Sequence, residues 1–297
     1  MRVLMSGASG LLGSAIGRSL EADGAAVVRL VRGKPVSETQ ILWEPGKQLV
    51  LTSSFDVVIH LAGESVVGRW TAAKKARIRD SRVLGTRTLA AAVARMETKP
   101  RVLVAASATG YYSDRGDEIL NEASASGTGF LAEICREWEA EAEPAVQAGI
   151  RVVHIRIGVV LSKHGGALGK MLLPFRLGLG GKLGRGRQWM SWIHVDDIVG
   201  AVRHVLSHEI LRGPVNLVTP NPVTNAEFTA ALGKALSRPT ILPAPAFALR
   251  LAMGEMADAT LLASARVQPD QLLASGYQFR FRELGVALAD ILGKQTT

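Results

Sequence analysis

Val3-Leu4-Met5-Ser6-Gly7-Ala8-Ser9-Gly10-Leu11-Leu12-Gly13 is an apolar run that ends in three glycines at a G-x-x-G-x-x-G spacing. Each glycine has a separate physical use. Gly7 permits a tight turn at the end of a buried strand. Gly10 lets the backbone come close to a pyrophosphate. Gly13 lets the following helix pack closely. The unpaired N–H groups at the start of that helix then face the anion. A glycine triplet alone is a weak signal, so its surroundings decide the reading. An apolar strand precedes it. A helical pattern over 11–23 follows, with Gly24 suited to its C-terminal cap. A second apolar strand over 26–31 stands at βαβ distance. Gly7, Ser9, Gly10, Leu11, Leu12 and Gly13 are therefore the predicted phosphate-holding segment of a dinucleotide site.

The alternation continues outward. Strands are predicted over 56–61, 101–106 and 150–156. A long helix is predicted over 72–96 and another over 128–147, with a bend at Pro144. Continuous apolar strands separated by helices mean a parallel sheet covered on both faces. Beyond residue 160 the pattern loosens. Residues 165–186 hold eight glycines among basic residues, a polar strand-like segment covers 189–195, and a helix follows over 196–207. The last third is rich in Ala, Leu and Pro. The fold class is α/β, a Rossmann-type doubly wound sheet with a smaller, mostly helical C-terminal lobe. The division is 1–160, with the sheet completed from 189–220, and 161–297.

Composition narrows the function classes. The net charge of +9 favours an anionic partner. The basic residues form no long run and no aromatics interleave with them, which argues against nucleic acid. Cys135 is the single cysteine, so neither an intrachain disulfide nor a multi-cysteine metal site can form, and a reducing cytoplasm is the expected setting. No apolar run has the length of a membrane span, and no cluster of ligand-type residues points to a metal. Asp196-Asp197 reads as a helix start.

The tip of the second strand selects the cofactor. NAD-binding units usually place an acid there for the ribose 2′-hydroxyl. This chain has Val31-Arg32-Gly33-Lys34. A carboxylate would repel a 2′-phosphate, whereas Arg32 can pair with it. The expected cofactor is NADP(H).

Three further segments complete a pattern: His60-Leu61-Ala62-Gly63, Ser107-Ala108-Thr109-Gly110-Tyr111-Tyr112 and Trp192-Ile193-His194-Val195-Asp196-Asp197. With the glycine turn they resemble the extended short-chain dehydrogenase/reductase superfamily, the NAD-dependent epimerase/dehydratase group. Glu64-Ser65, Arg69-Trp70, the 181–194 segment, Pro222 to Phe228 and the tail from Pro245 to Leu292 are similar to an atypical epimerase-like branch with its own C-terminal domain. The resemblance spans nearly the whole chain. It implies that Leu61, Ala62 and Gly63 lie along the adenosine and ribose, that Gly158 lies near the nicotinamide, and that a homodimer can form.

The superfamily's chemistry uses a serine with a Tyr-x-x-x-Lys pair, in which the tyrosine transfers a proton and the lysine tunes it and holds the ribose. Ser107 matches the serine. Phe130 stands at the tyrosine position and Ile134 at the lysine position, and neither can do that chemistry. Two readings follow. In one, another group near Ser107 transfers the proton to or from a small hydroxyl- or carbonyl-bearing substrate. Tyr111 or Tyr112 comes first, then Glu64, Glu133 or His194. In the other, the protein is a non-catalytic NADP(H)-binding sensor or regulator. Substrate contacts are expected from Glu64 and, in the glycine-rich basic segment, from Arg185, Arg187 and Gln188.

Overall fold

The computed structural model describes residues 1–293. Seven strands form one sheet: β1 (Arg2–Ser6), β2 (Ala26–Val31), β3 (Gln40–Leu42), β4 (Val57–His60), β5 (Val102–Ala108), β6 (Arg151–Ile157) and β7 (Gly213–Leu217). Their order is β7-β6-β5-β4-β1-β2-β3, and every neighbouring pair is parallel. The order reverses between β1 and β4, which opens a crevice beyond their C-terminal ends.

The central strands bury both faces. Val3 and Met5 of β1 join one core with Ile16 of α1 (Leu11–Ala22), while Leu4 joins the other with Leu89 and Val93 of α2 (Ala72–Ala94). This two-sided burial is why the strands read as unbroken apolar runs. The expected helix over 128–147 is two helices, α3 (Phe130–Ala140) and α4 (Glu143–Gln147). Pro144 sits in the first turn of α4, where its missing N–H costs nothing. The short edge strand β3 carried no alternating pattern and was not expected.

The later helices are α5 (Gly166–Arg176), α6 (Val195–Ser207), α7 (Asn225–Leu236), α8 (Ala246–Met253), α9 (Asp270–Ala274) and α10 (Leu284–Ile291). α6 covers the face that α1 covers, and α5, α7 and α10 share a separate apolar cluster around Trp192 and Phe228. Short strand pairs tie this region to the body, among them Arg266–Val267 beside Ile119–Leu120. No helix among the described residues is long and apolar enough to cross a membrane.

Candidate functional site

A cleft of about 430 Å³ opens at the crevice between β1 and β4. Gly7 to Gly10, Arg29 to Arg32, Gln40, Trp43 and Leu61 to Glu64 line it. Gly7 has φ +69°, and a Cβ there would lie 2.7 Å from the Leu61 carbonyl carbon. A Cβ on Gly13 would lie 2.2 Å from the Gly7 carbonyl oxygen. Gly13 thus keeps the turn itself closed, more than it seats the helix on the strand. Gly10 is the N-cap of α1, which has no side-chain cap and no acid in its first turn. Its N–H groups are left for an anion. Ser9 is exposed, and Leu11 and Leu12 are half-buried. Leu11 also supports the glycine pair before α5, since a Cβ on Gly166 would lie 3.4 Å from its Cδ2.

At the β2 end, Arg32 is exposed on the cleft rim and makes no ion pair among the described residues. At the β4 end, Ser6 and His60 are register neighbours on β1 and β4. The Ser6 hydroxyl bonds His60 Nδ1 at 2.6 Å and accepts from the N–H groups of Leu61 (3.2 Å) and Ala62 (3.3 Å). Burial pushes the His60 pKa down to about 4, so the ring is neutral. This buried pair sets the backbone that forms one wall of the cleft. Glu64 lines the same cleft. A Lys74 hydrogen bond at 2.8 Å holds its carboxyl below the usual range.

Beyond β5 lies a second polar cluster. Ser107 and Arg156 are register neighbours on β5 and β6. The Ser107 hydroxyl donates to Glu139 Oε1 at 2.6 Å, and Arg156 holds the same carboxylate through Nε and Nη2, both at 2.8 Å. Burial opposes the Arg156 charge, but its bonds to Glu139 outweigh that and raise its pKa. Arg156 Nη1 donates to the Tyr112 hydroxyl at 3.0 Å, which donates to Asn216 Oδ1 at 2.8 Å.

These contacts separate the two tyrosines. Tyr112 is 0% exposed, and burial pushes its phenol up to about 12. It has no surface from which to meet a substrate, so its position is that of a core hydrogen-bonding residue and not of a proton donor. Tyr111 is half-buried, and the Arg156 guanidinium lies 3.5 Å from its ring centre. Its hydroxyl has no hydrogen-bond partner among the described residues. Sequence reasoning missed Glu139 and Arg156. The available signal was Arg156 near the end of a largely buried strand, where a cation demands an acid.

The tyrosine and lysine positions are filled by packing. Phe130 meets Trp70 edge-on at 5.0 Å, and Ile134 is 2% exposed among Trp70, Ile78 and Met256. Glu133 is exposed on the first turn of α3. His194 caps α6 by accepting from the Asp196 N–H at 3.1 Å. Its ring lies near Asp290, but the Nδ1 lone pair is spent on the cap. Gly158 is required by packing: a Cβ would fall 2.5 Å from the Ser191 carbonyl oxygen and 2.7 Å from Val218 Cγ1. Arg185 and Arg187 are exposed. Gln188 is 9% exposed, and its amide donates to the carbonyls of Leu183 (3.2 Å) and Leu261 (2.9 Å). Its amide donors are consumed in fixing the loop, so a substrate would find only the side-chain oxygen.

Residues 3–217 match the NAD dependent epimerase/dehydratase family, and residues 244–291 match a domain of unknown function, DUF1731. The chain is 44% identical over 290 residues to epimerase family protein MT2273 of Mycobacterium tuberculosis, covering 96% of each. Among solved structures it is similar to human epimerase family protein SDR39U1 (isoform 2) with NADPH, at TM-score 0.92 and 36% identity, covering 99% of this chain and 100% of that one. It is also similar to the nucleoside-diphosphate sugar epimerase from Corynebacterium glutamicum, at TM-score 0.82 and 39% identity, covering 99% of this chain and 58% of that one. On the glycine turn, the strand order and a match over most of its length, the chain belongs to the NAD dependent epimerase/dehydratase family.

Proposed function

We propose that the protein binds NADP(H) in the β1–β4 cleft and acts with it on a small hydroxyl- or carbonyl-bearing substrate, as an atypical epimerase or oxidoreductase. The observation that carries this reading is Arg32, an arginine without a carboxylate partner among the described residues at the tip of β2, on the rim of a cleft built over a glycine turn. The NADPH of the human structure supports it. The residues present fit the cofactor. The Gly7–Gly13 turn leaves room that a Cβ would fill and offers free N–H groups to the pyrophosphate. Arg32 would pair with the 2′-phosphate, and Leu61 to Gly63 would line the adenosine side.

When bound, the nicotinamide gives or takes a hydride. The chain has to orient the substrate and move a proton. Tyr111 suits the proton transfer, because its ring is held against Arg156 while its hydroxyl has no partner among the described residues. Ser107 is 2% exposed and donates to Glu139; its oxygen keeps lone pairs, which would accept from a substrate hydroxyl only where the ligand reaches the buried end of β5. Arg185 and Arg187 would meet an anionic group on the substrate. A reducing cytoplasm and a homodimer complete this reading.

The test is to titrate NADPH and NADH against wild type and Arg32→Glu. A charge-assisted pair predicts that wild type prefers NADPH by roughly tenfold to a hundredfold, and that the variant loses this preference. Equal affinities in wild type would sink the assignment. The non-catalytic reading draws on the apolar filling at Phe130 and Ile134. It predicts a partner that binds only one redox state of the cofactor, with no turnover of carbonyl compounds or sugar nucleotides.

A further inference from the structure

A second cavity, of about 470 Å³, lies where the glycine-rich segment, α7 and the chain just after α7 meet. That volume falls within the roughly 300–1,000 Å³ of small-molecule sites. None of its lining residues lines the β1–β4 cleft. Ala226, Thr229 and Ala230 form one wall; they stand at i, i+3 and i+4 on α7 and so share a face. Thr240, Ile241 and Pro243 form another, and Lys182 completes the lining. No acid is among these residues.

The polar groups of the lining lack protein partners. Lys74 and Lys75 pair with Glu64 and Glu255, but the half-buried Lys182 has no carboxylate partner among the described residues. Its place is nevertheless fixed. Its carbonyl accepts from the Ala244 N–H at 2.9 Å, and its stem lies against Gly186, where a Cβ would fall 3.2 Å from Lys182 Cβ. Thr229 is 4% exposed, yet its hydroxyl bonds no described residue and is not sealed from solvent, so it opens on the cavity that Thr229 lines. Thr240 turns its methyl toward Gly233, where a Cβ would meet it at 2.4 Å, and its hydroxyl also bonds no described residue. The first N–H groups of α7 are taken by Gln188, Gly186 and Thr224, so the helix start offers nothing to an anion. Beside this polar end the surface is apolar. Ile241, Leu242, Leu177 and Leu179 are exposed. The 176–181 stretch runs along 238–242: Arg238 Nε donates to the Arg176 carbonyl at 2.9 Å, and a Cβ on Gly181 would lie 1.8 Å from the Leu242 carbonyl oxygen. Large apolar side chains gathered on a surface in this way mark a binding site.

We propose that this cavity binds a medium-chain organic carboxylate, with its head on the Lys182 ammonium and the Thr229 and Thr240 hydroxyls and its chain over Ile241, Pro243 and the neighbouring leucines. The lining selects the head group. Lys182 is a point charge and the cavity's lone cation, which suits a single negative charge better than a doubly charged phosphate. The walls select the body, since Ala226, Ala230, Ile241 and Pro243 carry no polar side-chain atom. The site stands apart from the NADP(H) reading, with which it shares no lining residue. It bears on the substrate side all the same. Lys182 comes three residues before Arg185, so an occupied cavity holds the base of the segment that carries Arg185 and Arg187.

The experiment separates head from chain. Decanoate carries both, acetate only the head and decanol only the chain; each is titrated as a monomer by calorimetry. The proteins are wild type, Lys182→Met and Ala230→Phe, with thermal melts as a check on folding. Ala230 is exposed on α7, so a phenyl ring there fills the cavity without entering the core. Wild type should bind decanoate more tightly than either fragment. Lys182→Met should weaken decanoate by about tenfold and leave decanol unchanged, and Ala230→Phe should abolish decanoate binding. Decanoate no tighter than acetate and decanol, or decanoate bound equally by all three proteins, would overturn the proposal. Sedimentation of wild type with phosphatidylglycerol vesicles, without binding of monomeric decanoate, would overturn it in favour of a lipid surface. If Lys182→Met does not fold, Ala230→Phe carries the comparison.

Discussion

Glu139 and Glu137 stand two residues apart on α3, and each pairs with an arginine from another element. Arg156 bonds Glu139 twice at 2.8 Å, with side-chain exposures of 4% and 13%. Arg79 bonds Glu137 at 2.6 Å, with exposures of 54% and 34%. The chemistry is matched, and burial differs. Replacing each glutamate by glutamine removes one charge from the same helix, and Glu and Gln have nearly equal helix propensity. Glu137→Gln breaks a solvated pair and should cost under about 1 kcal/mol. Glu139→Gln leaves the Arg156 guanidinium buried without its counter-charge, and that kind of loss costs about 3 to 5 kcal/mol. It also disturbs the Ser107 hydroxyl and the Arg156–Tyr112–Asn216 chain, which depend on the same carboxylate. Urea unfolding followed by tryptophan fluorescence reads both costs. If Glu139→Gln costs no more than Glu137→Gln, the buried network does not hold the strand ends together as argued.

Two further outcomes are expected. The His60 pKa is depressed to about 4 from an ordinary 6.5, so the folded state resists its protonation; stability is intact above pH 6.5 and falls as pH drops toward 4, by about 3 kcal/mol. His60→Asn should therefore show a shallower acid limb than wild type in thermal melts at stepped pH, and identical limbs would count against a neutral buried ring. Gly13→Ala puts a methyl 2.2 Å from the Gly7 carbonyl oxygen and should cost about 1–3 kcal/mol and abolish dinucleotide binding, whereas Gly33→Ala, with nothing within 4 Å, should leave both intact. A Gly13→Ala protein that binds like wild type would show that the turn yields more easily than its geometry indicates.

What could be read from the chain divides along a physical line. The sheet and the glycine turn were legible because both are local. A strand's apolar run and a turn's need for glycine depend on neighbours within a few residues. The Glu139–Arg156–Ser107 cluster was not legible because its members lie 17 to 49 residues apart and meet only through the β5–β6 register and the seating of α3 beside it. Tyr111 and Tyr112 show the same limit: adjacent in sequence, they differ in whether the hydroxyl is free or locked to Asn216. Gln188 looked like a substrate contact because it follows two arginines in a glycine-rich loop, yet its amide is spent on carbonyls 5 and 73 residues away.

The absent tyrosine and lysine have a structural counterpart in the C-terminal region. Phe130 and Ile134 pack with Trp70 and Ile78 from the α2 side and with Met253 and Met256 from beyond α7. The Lys75 ammonium sits 4.8 Å over the Phe130 ring and pairs with Glu255. An ammonium at 134 would be buried in that apolar cluster with no acid to meet it, and a phenol at 130 would need a partner that the edge-on Trp70 ring does not supply. The two positions have become the seam through which the C-terminal segment is fastened to the sheet domain. With α3 serving as that seam, the proton transfer proposed for this protein would fall to groups carried by other elements, with Tyr111 after β5 held against Arg156 on β6.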